Sequence, residues 1–443
     1  MESIVAALGG TAWTVVFFVI ALSVIVFVHE YGHYIVGRWS GIHAEVSSIG
    51  FGPVLFGRTD RRGTRWQVAA IPFGGYVKFL GDADASSVRQ GDVSGLSEEE
   101  RRHTMAGAPL WARAATVAAG PIANFILAFV LYAGIVATSG VVNEVPTVGE
   151  MRSLPSTAES LLENDVILAV EGRATPDWKS FADATDALTG KATVMYTVMR
   201  GGNEITIQGP HPNSLIVGDV AIRSAALDAG ILPGDVIVSA GGKAIQQFEE
   251  LVEVVTASQG QPVSLKIWRA GKTLDLTLTP RLRVAPDNET GELTERYMIG
   301  IGAGLVFEPG LRSAGPLEVV TGAAQNMWLT TEGMFAGLGK MVQGMISTCG
   351  LSGAIGIAKT VGDAARIGFE TFLVVIAGLS LGIGIINLFP IPVLDGGHLV
   401  FHAYEAVTRR APSQRILGIL MPIGLTLILS LMIFALSRDL ICA

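Results

Sequence analysis

From Thr11 to Val28 the chain carries no charged residue, and this apolar run leads directly into His29, Glu30 and His33. A run of this length favours a helix that crosses a lipid bilayer. Ionisable side chains at membrane depth are costly and normally mark a functional site. Because positions i and i+4 share one face of a helix, the two histidines can bind one metal ion together.

The HExxH pattern of these residues is typical of zinc-dependent hydrolysis. Glu30 lies to the side of the histidine pair, where its carboxylate can accept a proton from the attacking water. The alternative is a solvated helix end with incidental histidine and glutamate residues. Since the chain has only seven histidines among 443 residues, a chance match is rare. The pattern and its location therefore indicate an intramembrane zinc site.

Composition places the chain among membrane proteins with substantial soluble parts, because half of its residues are apolar. The net charge of −8 offers no basic footprint, so we expect no nucleic-acid partner. Cys349 and Cys442 are the only cysteines and support neither a disulfide framework nor a thiolate zinc site, although a single bridge stays open. Glu2 and the lack of a basic start argue against a cleaved signal peptide.

Four segments are long and apolar enough to span a bilayer, which takes about twenty helical residues. Apolar residues at helical spacing, interrupted by polar ones, predict an amphipathic surface helix within 317–357. Arginine and lysine are concentrated in the segments 38–113 and 391–416, which we therefore expect on the cytoplasmic side. The HExxH motif then lies toward the cytoplasm, and the long middle region lies outside.

A catalytic zinc site needs a third protein ligand, and Asp395 is the best candidate. It follows an apolar helix that is expected to end at Phe389 and Pro390. A carboxylate at this depth requires a partner, which is either a metal ion or the N-terminus of a following helix. His398 and His402 can also share a helix face. We expect them to be polar neighbours of the site, because the first span already supplies two imidazoles.

With these motifs in place, the sequence resembles the site-2 protease family of intramembrane metalloproteases, in particular its bacterial regulator-of-sigma-E type. The matching segments cover nearly the whole chain in order: 29–33, 120–125, 351–359 and 387–398. The resemblance implies that His29, His33 and Asp395 bind Zn²⁺ and that Glu30 is the general base. The family often has proline where this chain has Ala354, which affects a structural segment only.

The resemblance also implies a location and partners. We expect a multi-pass protein of the bacterial inner membrane, with its middle modules in the periplasm and its active site toward the cytoplasm. Its substrates would be membrane-spanning proteins, such as an anti-sigma factor, and remnants of signal peptides. The family counterpart of Asn387 is implicated in holding substrate, and an amide side chain can both donate to and accept from a peptide backbone.

The loop after the first span contains strand-like patterns at 47–56 and 65–80. We expect a membrane-associated β hairpin, whose exposed edge can pair with a locally unwound substrate. A plain amphipathic loop that only plugs the helix bundle is the alternative. Farther along, Gly120 and Pro121 are expected to break the helical approach to the second span. Asn124, inside that span, is assigned mainly a structural hydrogen bond to a neighbouring helix.

Residues 214–282 resemble a PDZ domain. Residues 141–213 contain a weaker version, in which Asn164 takes the place of Gly234. Asparagine tolerates a left-handed backbone better than most residues, so the substitution agrees with the same turn. Tandem PDZ-like modules are therefore predicted, followed by a loop-rich connection over 280–309.

The predicted fold class is an α-helical membrane protein with four transmembrane helices, tandem PDZ-like α/β modules and a membrane-associated β hairpin. Its segments are, in order, 1–37 with the first span and HExxH, 38–113 with the β elements, 114–137 with the second span, 141–213 and 214–282 with the two modules, 283–368 with the connection and amphipathic helix, 369–390 with the third span, 391–416 with the ligand loop and cytoplasmic segment, and 417–437 with the fourth span.

An intramembrane zinc endopeptidase agrees best with these residues. The alternative is a non-enzymatic membrane scaffold whose PDZ modules bind protein termini, and a zinc-dependent transporter is a third hypothesis. A scaffold has no need for His29, Glu30, His33 and Asp395 together. A single metal site beside a general-base glutamate suits hydrolysis better than transport.

Overall fold

The computed structural model describes residues 10–82, 97–154, 161–188, 191, 193–213, 215–286 and 293–441. The chain forms two compact units. Residues 1–134 and 320–443 form the first, which we call the membrane unit, and residues 135–319 form the second, which we call the middle unit. Cys349 is disulfide-bonded, and Cys442 lies outside the described residues.

The first part of the membrane unit consists of two long helices with a pair of strands between them. Its elements are α1 (Gly10–Trp39), β1 (Ala44–Thr59), β2 (Arg65–Phe79), α2 (Glu98–Arg102) and the greater part of α3 (Leu110–Ser139). α1 contains no proline and no charge before Glu30, so nothing interrupts its backbone hydrogen bonds. β1 pairs with β2 over most of its length, and residues 46–49 of β1 pair with both 65–68 and 75–78, so they lie between two segments of β2.

The middle unit is built from short strands and small helices. They are β3 (Val141–Val142), β4 (Val148–Met151), β5 (Val166–Val170), β6 (Arg173–Ala174), α4 (Trp178–Asp186), β7 (Thr193–Arg200), β8 (Asn203–Pro210), β9 (Ile216–Val220), α5 (Ala225–Asp228), β10 (Val236–Ala240), β11 (Lys243–Ala244), α6 (Phe248–Ala257), β12 (Val263–Arg269), β13 (Lys272–Leu278), β14 (Arg281–Pro286), β15 (Leu293–Met298), β16 (Ile301–Gly304), β17 (Phe307–Pro309) and β18 (Leu311–Arg312).

The second part of the membrane unit is helical. It contains the greater part of α7 (Pro316–Val342), a 3-10 turn (Thr348–Gly350), α8 (Ala354–Ile367), α9 (Phe369–Asn387), α10 (Asp395–Thr408) and α11 (Gln414–Ile441). Large apolar side chains of α7, among them Trp328 and Phe335, are exposed. Such exposure is typical of a helix at a membrane surface.

Among the described residues, four helices are long and apolar enough to cross a membrane: α1, α3, α9 and α11. Their mean hydropathy is between 2.0 and 2.6, and the four predicted spans are confirmed. The expected break at Gly120 and Pro121 is wrong, because α3 continues through both residues. Proline removes one backbone hydrogen bond, but neighbouring groups compensate for this loss inside a membrane bundle.

The two larger sheets of the middle unit resemble each other in connectivity. The first has the strand order β6-β5-β7-β8, and the second has the order β13-β12-β10-β9-β16, with β11 beside β10. β16 and the strands around it lie where a loop-rich connection was expected over 280–309, so that expectation is wrong for the described residues. Gly300, Gly302 and Gly304 weaken the strand pattern of β16, because glycine is depleted in strands.

A carboxylate–guanidinium pair occurs at the same place in both sheets. Asp165 accepts hydrogen bonds from Nε and Nη2 of Arg200 at 2.8 and 2.6 Å. Asp235 accepts from the same two nitrogens of Arg269 at 2.6 and 2.7 Å. Each aspartate also accepts a backbone N–H from three residues before it, at 2.9 Å. The two modules are therefore built around the same network of hydrogen bonds.

The turn before each aspartate is also shared. Asn164 has a φ of 71° and Gly234 has a φ of 91°, so both adopt a left-handed backbone conformation. This is the conformation predicted for Asn164 from its position opposite the glycine of the second module.

Two clusters of buried apolar side chains hold α1 within the membrane unit. One joins Trp13 and Ile25 of α1 to Phe372 of α9 and to α8. The other joins Tyr34, beyond the HExxH motif, to Val77 of β2 and to the start of α3. The motif lies between these clusters along α1, so packing at both ends fixes the orientation of its side chains.

Candidate metal centre

Three side chains from distant parts of the sequence converge in the membrane unit. Nε2 of His29 and Nε2 of His33 are 3.2 Å apart. Oδ2 of Asp395 is 3.3 Å from the first nitrogen and 3.6 Å from the second. The structure thus brings together the three residues predicted as ligands, and their atoms could hold one metal ion.

The chain after α9 turns back to place Asp395. α9 ends at Asn387, and Pro390 and Pro392 prevent the helix from continuing. α10 then begins with Asp395 in its first turn. Oδ2 of this residue is buried and has no hydrogen-bond partner among the described residues. Because an unpartnered buried acceptor is costly, this oxygen fits a metal ligand better than a helix cap alone.

Groups of α3 orient the two imidazoles. Nδ1 of His33 donates to the carbonyl oxygen of Thr116 at 2.9 Å. A carbonyl only accepts, so Nδ1 carries the proton and Nε2 keeps the lone pair that a metal needs. Nδ2 of the buried Asn124 is 3.3 Å from Nδ1 of His29. Oδ1 of Asn124 has no partner among the described residues, and after an amide flip it would accept from Nδ1–H of His29 in the same way.

Two glycines allow α1 and α3 to approach each other at this point. A β-carbon on Gly32 of α1 would overlap the backbone of Ala119. A β-carbon on Gly120 of α3 would overlap Nε2 of His33. Small residues at such a crossing let membrane helices pack closely. Here the close packing also places the orienting groups of α3 within hydrogen-bond distance of the histidines.

A cavity of about 300 Å³ opens beside the three converging atoms. Glu30 lines it, together with Gly75 and Val77 of β2. Gly75 of the same strand lies so close that a β-carbon there would be 3.0 Å from Cγ of Glu30. β2 therefore packs directly against the side chain of Glu30, next to the candidate metal site.

Asn387, His398 and His402 line the same cavity but are not part of the converging group. Burial, together with the nearby Arg113 guanidinium and His398, lowers the pKa of His402 to about 4, so this ring is neutral at neutral pH. A neutral ring can donate or accept a hydrogen bond without adding charge near the site. Both histidines are thus polar neighbours of the site, in agreement with the role expected for them.

An ion pair ties α10 to α3. Nη1 and Nη2 of Arg113 donate to the two carboxylate oxygens of Glu405 at 3.0 and 2.7 Å. Both side chains are mostly buried. Two parallel hydrogen bonds fix the relative orientation of their helices more strictly than one contact would. The pair links the helix that begins with Asp395 to the helix that orients the histidines.

Comparison with known proteins identifies the family. Residues 17–431 match peptidase family M50. The chain belongs to peptidase family M50. It is 36% identical over 444 residues to Atu1380 of Agrobacterium fabrum, which is named as a zinc metalloprotease, with 99% of this chain and 98% of that protein covered. It is 33% identical over 458 residues to the regulator of sigma-E protease RseP of Escherichia coli, with 96% and 98% covered.

A solved PDZ domain of an SdrC-like protein from Listeria monocytogenes is also similar, at 20% identity. The similar region covers 20% of this chain and 87% of that domain, with a TM-score of 0.17. A score this low supports no assignment of fold.

As an M50 peptidase, the protein is a zinc metalloprotease of the bacterial inner membrane. The observed donor set fits that metal. Tetrahedral zinc binds nitrogen and oxygen ligands at about 2.0–2.2 Å, which places neighbouring ligand atoms about 3.3 Å apart. The three atom pairs here are separated by 3.2, 3.3 and 3.6 Å. Two imidazoles and one carboxylate also leave a fourth position for water, as catalytic zinc sites require.

The orienting groups around this M50 site were not recognised from the sequence. Thr116 acts through its backbone carbonyl. Every residue has such a carbonyl, so the sequence gives no indication of this role. Gly120 was interpreted as a helix breaker, although its lack of a side chain is what leaves room for the ring of His33. Asn124 did carry a signal, because an amide inside an apolar span needs a partner. Its interhelical partner is His29 itself.

Proposed function

We propose that this protein is an intramembrane zinc endopeptidase that cleaves the transmembrane segments of membrane-protein substrates. In this proposal His29, His33 and Asp395 are the zinc ligands and Glu30 is the general base. The convergence of three ligand atoms within 3.6 Å of one another, in a helix bundle and beside Glu30, is the observation that carries the proposal.

Each residue has a distinct chemical role in this proposal. When bound, zinc lowers the pKa of water toward neutrality and polarises the scissile carbonyl. Glu30 takes the proton of the attacking water and passes it to the leaving amine. Close packing against Gly75 of β2 keeps the Glu30 side chain in place for both transfers. Asn387 lines the cavity from the end of α9, where its amide can hold the substrate backbone.

The substrate must be unwound before its carbonyls can be attacked. We place the unwound stretch along residues 75–79 of β2, which pair with residues 44–49 of β1. This segment lies against Glu30, and a strand edge satisfies the backbone groups that an unwound helix exposes. Exposed apolar residues of the strand pair, including Phe51, Leu55 and Ile71, support contact of this hairpin with the membrane.

The middle unit carries the proposed tandem PDZ-like modules. The repeated Asp165–Arg200 and Asp235–Arg269 pairs, preceded by left-handed residues, support two related modules.

Arginine-rich sequence between the first two spans supports a cytoplasmic position for that loop, with the middle unit in the periplasm. There the modules would select substrates already shortened outside the membrane. By analogy with relatives named as sigma-E regulators, an anti-sigma factor is the proposed substrate class.

The decisive experiment separates metal binding from chemistry. In purified Glu30→Gln protein we expect the zinc content of the wild type together with loss of cleavage of a transmembrane substrate, because glutamine cannot accept the proton. Glu332→Gln is the matched control, since it removes an exposed carboxylate of α7 outside the cavity. Cleavage that survives in Glu30→Gln would contradict the assigned base. Normal zinc binding with no cleavage by the wild type would favour a scaffold.

A further inference from the structure

A second and larger cavity, of about 520 Å³, lies beyond the last turn of α1. It shares no lining residue with the cavity of the metal centre. Its polar lining comes from the end of α1, the loops beside β1 and the end of α2: Tyr34, Arg38, His43, Arg62, Glu100 and His103. A volume of this size is typical of sites that bind small molecules or headgroups.

The charge of this cavity is predominantly basic. Two guanidinium groups and two imidazoles line it, against the single carboxylate of Glu100. Oε2 of Glu100 accepts from the backbone N–H and the hydroxyl of Ser97 at 2.9 and 2.8 Å, so this carboxylate already caps its own helix. Arg62 forms no ion pair with any described residue. The cavity therefore favours an anion.

Two of the basic side chains are held in place by neighbouring groups. Nη1 of Arg38 donates to the hydroxyl of Tyr34 at 2.7 Å. Nδ1 of His103 donates to the carbonyl of Gly41 at 2.6 Å. Each of these two side chains also has a nitrogen that forms no hydrogen bond with a described residue. A preorganised guanidinium is well suited to phosphate, because its planar fork matches two phosphate oxygens.

The position of the cavity along the membrane normal points to the source of that phosphate. Trp39 follows Arg38 and is 77% exposed, and Trp111, in the first turn of α3, is 66% exposed. Both lie at ends of spans on the same side of the bilayer, because no helix of spanning length occurs between them in the described residues. Exposed tryptophans at the ends of spans mark the level of the lipid headgroups.

We propose that this cavity binds the phosphate group of an anionic phospholipid headgroup. Arg38 and His43 would contact the phosphate from within, and Arg62 and His103 from the more exposed mouth of the cavity. The bound headgroup connects the end of α1, the helix that carries His29 and His33, to the start of β1. The inference is independent of the proposed proteolysis, because it rests on a different cavity.

The test is lipid binding by the full-length protein. Purified protein in a neutral detergent is titrated with phosphatidylglycerol or phosphatidylcholine, and bound lipid is counted by native mass spectrometry. We expect selective retention of phosphatidylglycerol. Arg62→Gln should weaken the binding of phosphatidylglycerol about five-fold, since one arginine near an anionic membrane surface contributes about 1 kcal/mol. Arg61→Gln is the matched control, because Arg61 is exposed, is adjacent to Arg62 in the sequence and does not line the cavity.

Additional probes distinguish the possible sources of phosphate. His103→Gln, at another exposed position, should also reduce retention of phosphatidylglycerol. Equal effects of Arg61→Gln and Arg62→Gln would show only general surface charge and would overturn the proposal. Binding of inorganic phosphate that depends on Arg62, without selection of phosphatidylglycerol over phosphatidylcholine, would assign the cavity to a soluble anion and overturn the lipid assignment.

Discussion

Gly120 of α3 lies directly against the imidazole of His33 of α1, so that a β-carbon at position 120 would overlap Nε2. This contact joins the two helices at the nitrogen assigned to zinc. The absence of a side chain at this point of α3 therefore shapes the proposed metal site, although Gly120 itself has no group that binds a metal.

Gly120→Ala should abolish or strongly weaken zinc binding, because the added methyl group displaces the His33 ring or separates the helices. Zinc content after purification and competition with a chelator measure the effect. Gly134→Ala in the same helix is the control, since a β-carbon there meets nothing within 4 Å. Equal zinc content in the two variants would show that the contact with Gly120 does not matter.

Asn124→Leu should lower zinc affinity about 10- to 100-fold, the range observed when a group that orients a metal-binding histidine is removed. Leucine has a similar volume but cannot hydrogen-bond Nδ1 of His29. Chelator competition gives the affinity. Ser380→Ala serves as the control, because Ser380 donates only to the backbone carbonyl of Asn124 at 2.9 Å. An unchanged affinity in Asn124→Leu would restrict this residue to helix packing.

Asp235→Asn should destabilise the second module by about 3 kcal/mol, because it leaves Arg269 without its buried counter-charge. Asp235 is 1% exposed, whereas Asp275, which faces Lys266 at 3.8 Å, is 82% exposed. Asp275→Asn should therefore change stability by less than about 1 kcal/mol. Amide hydrogen exchange of β10 and β12 in the full-length protein measures the stability of the second module in both variants. Similar protection in the two variants would contradict the predicted difference in stability.

Asp439→Ala should loosen the start of α8. Oδ1 of Asp439 accepts the backbone N–H of Gly353 at 3.0 Å, and Oδ2 accepts that of Gly356 at 2.9 Å. Loss of such a cap typically costs about 0.5–2 kcal/mol. Faster hydrogen exchange at residues 353–357 is the expected result. Ser437→Ala should leave exchange there unchanged, because its hydroxyl bonds only the Phe434 carbonyl of its own helix.

Local patterns predicted much of this protein correctly. Uncharged runs of sufficient length indicated the four spanning helices, since apolar length alone decides whether a helix can cross a bilayer. The i, i+4 spacing placed His29 and His33 on one face of α1. The left-handed turn at Asn164 followed from the position of Gly234 in the second module.

Predictions failed where the outcome depended on a partner distant in sequence. Pro121 was expected to break a helix, yet α3 continues, because the surrounding bundle compensates for one missing hydrogen bond. The strand β16 was missed because its glycines hide the strand pattern, and pairing with β9 is what makes it a strand.

The sequence by itself determined the spans, the pair of histidines and the chemical character of Asp395, because each depends on residues near one another along the chain. Only the tertiary structure decided that Asp395 lies 3.3 Å from His29 and that Thr116, Gly120 and Asn124 surround the two imidazoles. These contacts arise from the packing of α1 against α3 and α10. Close packing depends on the shapes of several helices at once, which no local pattern encodes.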